Sequence, residues 1–266
     1  MAQHLSASVL AVQLYTVCDF TRTEQGFAES LRKIADIGYA GVQLSAVGAM
    51  DGDSPAVSAA LARKMLDDNG LKCAATHRSW AELRDRTDDT IAFHHELGCD
   101  FVAIGSVPGG YDSVDGYRRF VADAVPVIAR LKNAGIRFGY HNHAFEFVRV
   151  TNTPGVETLW DVFAVEGGAD FLLEPDLFWM WHAGYDPAVG LAKCAGRVPL
   201  VHLKDKEIVS GNDSVMAPVG EGNLPWNRLI PACQAARVEW YAVEQDVCRR
   251  DPFDCLASSF RYLTQE

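Results

Sequence analysis

LKNAGIRFGYHNHAFEF, residues 131–147, leaves a helical stretch through a glycine, enters a short apolar run, and ends that run in two histidines, an asparagine and a glutamate. The segment ahead of it, YRRFVADAVPVIARLKNAG (117–135), has helical spacing, and its last glycine suits a left-handed cap before a strand. A near-continuous apolar run of this length marks a strand covered on both faces, as in a parallel sheet. The same form recurs with different residues along the whole chain. The strand candidates are VLAVQLYT (9–16), AGVQLSA (40–46), LKCAATH (71–77), FVAIGSV (101–107), IRFGYHNH (136–143), DFLLEPD (170–176), VPLVHLKD (198–205) and EWYAVEQD (239–246). Helical segments such as FAESLRKIADIG, SAALARKMLDDNG and WNRLIPACQAARV separate them.

Eight such strand and helix units in 266 residues, with no linker or low-complexity segment, predict an α/β fold: a single (β/α)8 TIM barrel forming one domain over residues 1–266. A doubly wound open sheet would want GxGxxG after its first strand, and that motif is absent. In a barrel, the C-terminal ends of the strands and the loops after them form one rim where active sites lie. The polar strand ends therefore converge: Gln13 and Tyr15, His77, the GYHNHAFEF cluster, Glu174 and Asp176, His202 with Lys204 and Asp205, and Glu244 with Gln245 and Asp246.

Composition limits the function classes. Apolar residues make up 48% and charged residues 22%, enough for a sizeable core. A net charge of -11 repels polyanions, so nucleic acid and anionic membrane surfaces are not the expected partners. No uncharged apolar run reaches the roughly 18 residues of a membrane span, and MAQHLSASVL lacks a basic region followed by a long apolar stretch; a cytoplasmic location is expected. Seven scattered cysteines without a CxxC pair read as reduced thiols.

Four rim candidates, Glu146, Asp176, His202 and Glu244, come from the ends of strands five to eight. Three carboxylates and an imidazole without a thiolate suit one hard or borderline divalent ion: Mn, Mg, Co or Zn. Without a cation the carboxylates would raise one another's pKa. His202 sits inside an otherwise apolar strand, where an interior polar group needs a partner.

YHNHAFEF, LEPDLFW followed by AGYDP, VHLKD, PVGEGNLPW and VEQD together resemble the xylose isomerase-like barrel superfamily of sugar isomerases, epimerases and related lyases, from VQLYTV to VEQD. The resemblance implies one divalent metal held by Glu146, Asp176, His202 and Glu244. Many relatives end strand five with Glu-Pro or Glu-Val, whereas this chain has HNHAFEF, which leaves His143 and His141 as alternatives to Glu146 as ligand. It also implies a homo-oligomer, a dimer or tetramer.

The expected activity is metal-dependent isomerisation or epimerisation, by proton abstraction beside a metal-bound carbonyl through an enediolate. Glu146 and Glu244 are the expected acid and base. His77, His143, Lys204, Trp179 and Gln13 are the expected substrate contacts, within an aromatic fringe of Trp80, Phe145, Phe178, Trp179 and Trp181. Glu221 and the glycines of PVGEGNLPW read as either a lid or a surface turn. No phosphate cradle is present, so a neutral keto-sugar, polyol-derived ketone or keto-glycoside is the expected small-molecule substrate. A lyase or dehydratase on the same scaffold shares the first step. An apurinic endonuclease would need a basic groove and more histidines, and a non-catalytic sugar-binding protein would not need the metal square.

Overall fold

The computed structural model describes residues 4–151, 153–211 and 213–265. Its barrel strands are β1 (Leu10–Gln13), β2 (Gly41–Leu44), β3 (Lys72–His77), β4 (Phe101–Ile104), β5 (Arg137–His141), β6 (Leu172–Glu174) and β7 (Leu200–Leu203). After a hairpin of β8 (Asp205–Ile208) and β9 (Ser214–Ala217) comes the eighth barrel strand, β10 (Trp240–Val243). All pairs within the barrel are parallel, in the order β6-β5-β4-β3-β2-β1-β10-β7, with helices between consecutive strands. This is the expected TIM barrel. No helix among the described residues is long and apolar enough to cross a membrane.

The barrel closes between β6 and β7 by a single bridge, Asp176 to His202, with the His202 N–H donating to the Pro175 carbonyl at 2.8 Å. Pro175 has no N–H, so a regular ladder cannot continue along β6. The interrupted seam therefore places Asp176 directly beside His202.

Alternation along each strand divides two cores. The larger one lies between sheet and helices and includes Val12, Val42, Val102, Phe138, Leu173, Val201 and Val243. The smaller one fills the barrel with Ala11, Ala74, Ala75, Phe101, Ala103, Leu200 and Ala242, flanked by Leu172 and Trp240. Phe101 and Trp240 need glycines opposite them. A Cβ on Gly139 would come within 2.5 Å of the Phe101 ring, and one on Gly41 within 3.1 Å of Trp240. Small residues above these rings leave the upper tier of the barrel free for polar side chains.

The sequence reading carried the seventh strand through to Asp205, but β7 ends at Leu203 and a separate antiparallel hairpin begins at Asp205. The cause is the Asp205 carboxylate. It is fully buried and accepts hydrogen bonds from the N–H groups of Lys206, Gly220, Gly222 and Leu224 and from Trp226 Nε1, at 2.6–3.1 Å. PVGEGNLPW is thus wrapped around one carboxylate, and Glu221 is paired with Arg250 at 2.6 Å and accepts from Ser258. The lid reading gives way to an anchored loop. Asp205→Ala strands buried donors, so we expect a loss of about 3 kcal/mol, read by calorimetry; an unchanged transition would show that the carboxylate does not hold the loop.

Candidate metal and substrate site

The upper tier of the barrel is built from side chains that point inward at the strand ends: Gln43 of β2, His77 of β3, His141 of β5, Glu174 of β6 and His202 of β7. His141, Glu174, Gln43 and His202 are buried. Gln43 reaches the interior by the regular alternation of β2, two residues after inward-facing Gly41, while the register shift places an extra residue, Ala74, in β3. Its amide donates to both oxygens of Glu174, at 3.0 and 2.9 Å, and its carbonyl oxygen accepts from His202 Nε2 at 2.6 Å. His77 Nε2 lies 2.6 Å from Glu174 Oε1. Burial alone would raise the Glu174 pKa, but His77 and His202 outweigh it and hold the group at about 2.

One level higher, Asp176, His202 and Glu244 each offer a ligand atom within 4.8 Å of the other two. His202 Nδ1 lies 2.7 Å from Glu244 Oε2 and 3.8 Å from Asp176 Oδ2. All three residues are buried, and the charge facing the two carboxylate oxygens is the Lys204 ammonium, 3.0 Å from Asp176 Oδ2 and 2.8 Å from Glu244 Oε2. Buried carboxylates need a compensating positive charge, so two carboxylate oxygens and an imidazole nitrogen converging on one point fit a cation. Two carboxylate oxygens and one imidazole nitrogen, three protein donors without a thiolate, match the donor set of a reactive divalent site, not a closed structural cage. Asp176 is positioned twice over, since its Oδ1 also caps the following helix by accepting from the Trp179 N–H at 2.9 Å. Burial raises its pKa to about 6, against the opposing pull of Lys204 and His202. Burial works against a charged His202, yet Glu244 and Glu174 together raise it to about 10.

Lys204, 2% exposed, is the neighbouring cation. Its Nζ lies 3.0 Å from Asp176 Oδ2, 2.8 Å from Glu244 Oε2 and 2.8 Å from Asp246 Oδ1. Above these groups opens a cavity of about 230 Å³ lined by Gln13, Tyr15, Ser45, His77, Gly105, His141, His143, Lys204, Glu244 and Asp246. Four of the five expected substrate contacts, Gln13, His77, His143 and Lys204, therefore face one space. The fifth, Trp179, stands behind two of them: its ring is 5.7 Å from Lys204 Nζ and 5.8 Å from the His143 ring. Phe145 stacks on the other side of His143 at 5.6 Å. Trp80 instead packs on Phe120 and Phe138, Phe178 is buried, and Trp181 borders a different cavity.

Glu146 stands outside the three-atom convergence. It is fully buried, its Oε1 accepts from the Tyr140 hydroxyl at 2.6 Å, and its Oε2 accepts from the His143 N–H at 2.8 Å. The carboxylate thus braces the loop that presents His143, whose Nδ1 has no partner. Burial lowers His143 to about 4, so it is neutral at pH 7. Gln43 and Ser45 are site residues the sequence reading does not single out, although Gln43 is detectable as a polar residue at an inward position of a strand otherwise apolar, and His141, the alternative ligand to Glu146, lines the cavity.

Burial raises Glu146 to about 7 from an ordinary 4.5, which makes a stability prediction. As pH rises between these values the unfolded chain gives up the proton first, so the folded state holds more protons and stability falls. The contribution is full below about pH 4.5 and lost as pH passes 7, on the order of 3 kcal/mol. Denaturant titrations should show a fall in the wild type that is smaller by this amount in Glu146→Gln, where Asp176, raised from 3.8 to about 6, still contributes; parallel pH profiles for the two proteins would remove Glu146 as a source.

A search of curated proteins found no match. Among solved structures, the chain is similar to a sugar phosphate isomerase/epimerase from Parabacteroides distasonis, with a TM-score of 0.78 and 20% identity over 99% of this chain and 96% of that one. It is also similar to an L-ribulose 3-epimerase, with a TM-score of 0.71 and 16% identity over 96% of this chain and 92% of that one. A third is the probable 3-DHS dehydratase involved in petrobactin synthesis from Bacillus anthracis, with a TM-score of 0.69 and 12% identity over 96% and 98% of the two chains. At such identities these likenesses speak for the fold. The family model described as xylose isomerase-like TIM barrel matches residues 31–252, and the chain belongs to that family.

Proposed function

We propose that this protein is a divalent-metal-dependent isomerase or epimerase of a neutral keto-sugar, a polyol-derived ketone or a keto-glycoside. The observation that carries the reading is the convergence of buried Asp176 Oδ2, His202 Nδ1 and Glu244 Oε2 beneath a polar cavity of about 230 Å³ that Glu244 lines. These three residues would hold the ion. When bound, it would supply Lewis acidity that makes the carbon beside a substrate carbonyl easier to deprotonate.

The chain's own groups account for the rest. Glu244 borders the cavity and is the carboxylate placed to carry a proton to or from substrate carbon. From the strand-five side the cavity is bordered by His141 and His143, not Glu146, and we assign the second proton transfer to the neutral His143 imidazole, with Glu146 bracing it. Gln13, Ser45, His77 and Asp246 offer hydrogen bonds to hydroxyl groups. Among the described residues, Lys204 is the one lysine or arginine lining this space and is already matched by three carboxylates, which favours a neutral substrate over a sugar phosphate.

Protein purified without chelators should contain one equivalent of a divalent ion by elemental analysis. With a keto-sugar in D2O it should place solvent deuterium on substrate carbon without loss of mass. Loss of one water would assign a dehydratase instead, and absence of both metal and exchange would sink the proposal.

A further inference from the structure

We propose that Glu174, directly and through Gln43, is the carboxylate that stands behind His202 and fixes which of its nitrogens faces the metal. The inference rests on the metal site proposed above, and makes Glu174 a positioning residue, not a ligand of that ion. His202 Nε2 is faced by two acceptors: Gln43 Oε1 at 2.6 Å and Glu174 Oε1 at 3.0 Å. The amide orientation follows from its other end, where Gln43 Nε2 lies 3.0 and 2.9 Å from the two oxygens of a carboxylate that only accepts. Nε2 must therefore carry a proton. Only Nδ1 is left to offer a lone pair, and it is the nitrogen directed at Glu244 and Asp176.

The arrangement has a further physical advantage. An amide that donates to a carboxylate is a stronger acceptor at its own oxygen, so the Glu174 charge is transmitted to the imidazole and makes Nδ1 a better donor to a cation. Glu174 is fully buried in the barrel, where such a charge is weakly screened. The same carboxylate holds His77 Nε2 at 2.6 Å, so one group orients both a metal-binding imidazole and an imidazole that lines the substrate cavity.

His77, His141, Glu174 and His202 also have ligand atoms within 4.8 Å of one another, so the same residues present an alternative, a second ion lower in the barrel. The hydrogen bonds favour the bracing role, since the His202 Nε2–H already donates to Gln43 Oε1, with Glu174 Oε1 3.0 Å away. His141 Nδ1 lies 3.6 Å from Glu174 Oε1 without a hydrogen-bond partner.

The test is Zn2+ binding to metal-stripped full-length protein, measured by chelator competition, with 15N spectra of the histidines in the Zn2+-loaded state. Wild type should bind one Zn2+ and show His202 protonated at Nε2 and ligated at Nδ1. Glu174→Gln, which keeps the shape and removes the charge, should weaken binding about 10- to 100-fold. The exchange Gln43→Glu/Glu174→Gln returns a carboxylate to the back of His202 and should restore binding to within about threefold, a coupling that a merely space-filling role would not produce. If Glu174→Gln does not fold, Gln43→Met serves, with weakening of about tenfold expected. Wild-type affinity in the folded variant overturns the inference, as does His202 ligation through Nε2. Two Zn2+ per wild-type chain, one of them lost in Glu174→Gln, overturns it in favour of the lower site. No Zn2+ on wild type sinks the metal site itself, a result distinct from all of these.

Discussion

Glu244→Gln is expected to cost about 10³-fold in deuterium exchange into substrate, the scale of losing one preorganised charge at a reacting centre. Metal affinity should fall by more than the roughly 100-fold upper range for groups that only support a ligand. The physical reason is that Glu244 has two tasks in the proposed chemistry. Its Oε2 is 2.7 Å from His202 Nδ1 and 2.8 Å from Lys204 Nζ, and the residue also lines the substrate cavity. Burial alone would raise its pKa, but Lys204 and His202 prevail and hold it well below the usual carboxylate range. The wild-type group is thus ionised across the working range, whereas the amide has neither the charge for an ion nor a site for a proton. Wild-type metal content together with wild-type exchange would remove Glu244 from both tasks.

The barrel was legible in the sequence because each of its eight strands is an apolar run followed by polar residues, and burial on both faces demands such runs. Strand ends were less so. VPLVHLKD looks continuous through Asp205, and nothing local reveals that Gly220, Gly222, Leu224 and Trp226 return to that carboxylate. In the site, Asp176, His202 and Glu244 were accessible because a polar residue at the end of a barrel strand has few structural reasons to be there. Glu146 was assigned with them by position in the chain, yet a 3-10 turn over Phe145–Phe147 directs its carboxylate to Tyr140 and the His143 N–H. Gln43 is legible as a polar residue at an inward position of β2, but its partners Glu174 and His202 lie 131 and 159 residues away, and no local pattern announces such a pairing.

Lys204→Met is the second change with a large expected effect, on stability. Lys204 Nζ contacts Asp176 Oδ2 and Glu244 Oε2, the same two oxygens that would hold an ion, as well as Asp246. In metal-free protein this ammonium is the compensating charge, and its pKa is raised because the three carboxylates overcome the effect of burial. Removing one side of a buried charge cluster costs about 3–5 kcal/mol, which for a chain of this size lowers Tm by on the order of 10 °C. The loss should depend on pH. Asp176 already has a folded-state pKa of about 6, above its ordinary 3.8, so its contribution is full below about pH 4 and is lost as pH rises through 6. Without Lys204 that folded value moves further up, which makes the variant weakest in alkaline solution and nearest to wild type in acid. A divalent ion should then raise the Tm of Lys204→Met more than that of wild type, because in the variant it replaces a missing charge. Calorimetry at two pH values, with and without Mn2+, reads all of this. A metal-free variant as stable as wild type at pH 8 would show that the three carboxylates do not depend on Lys204 for their compensation.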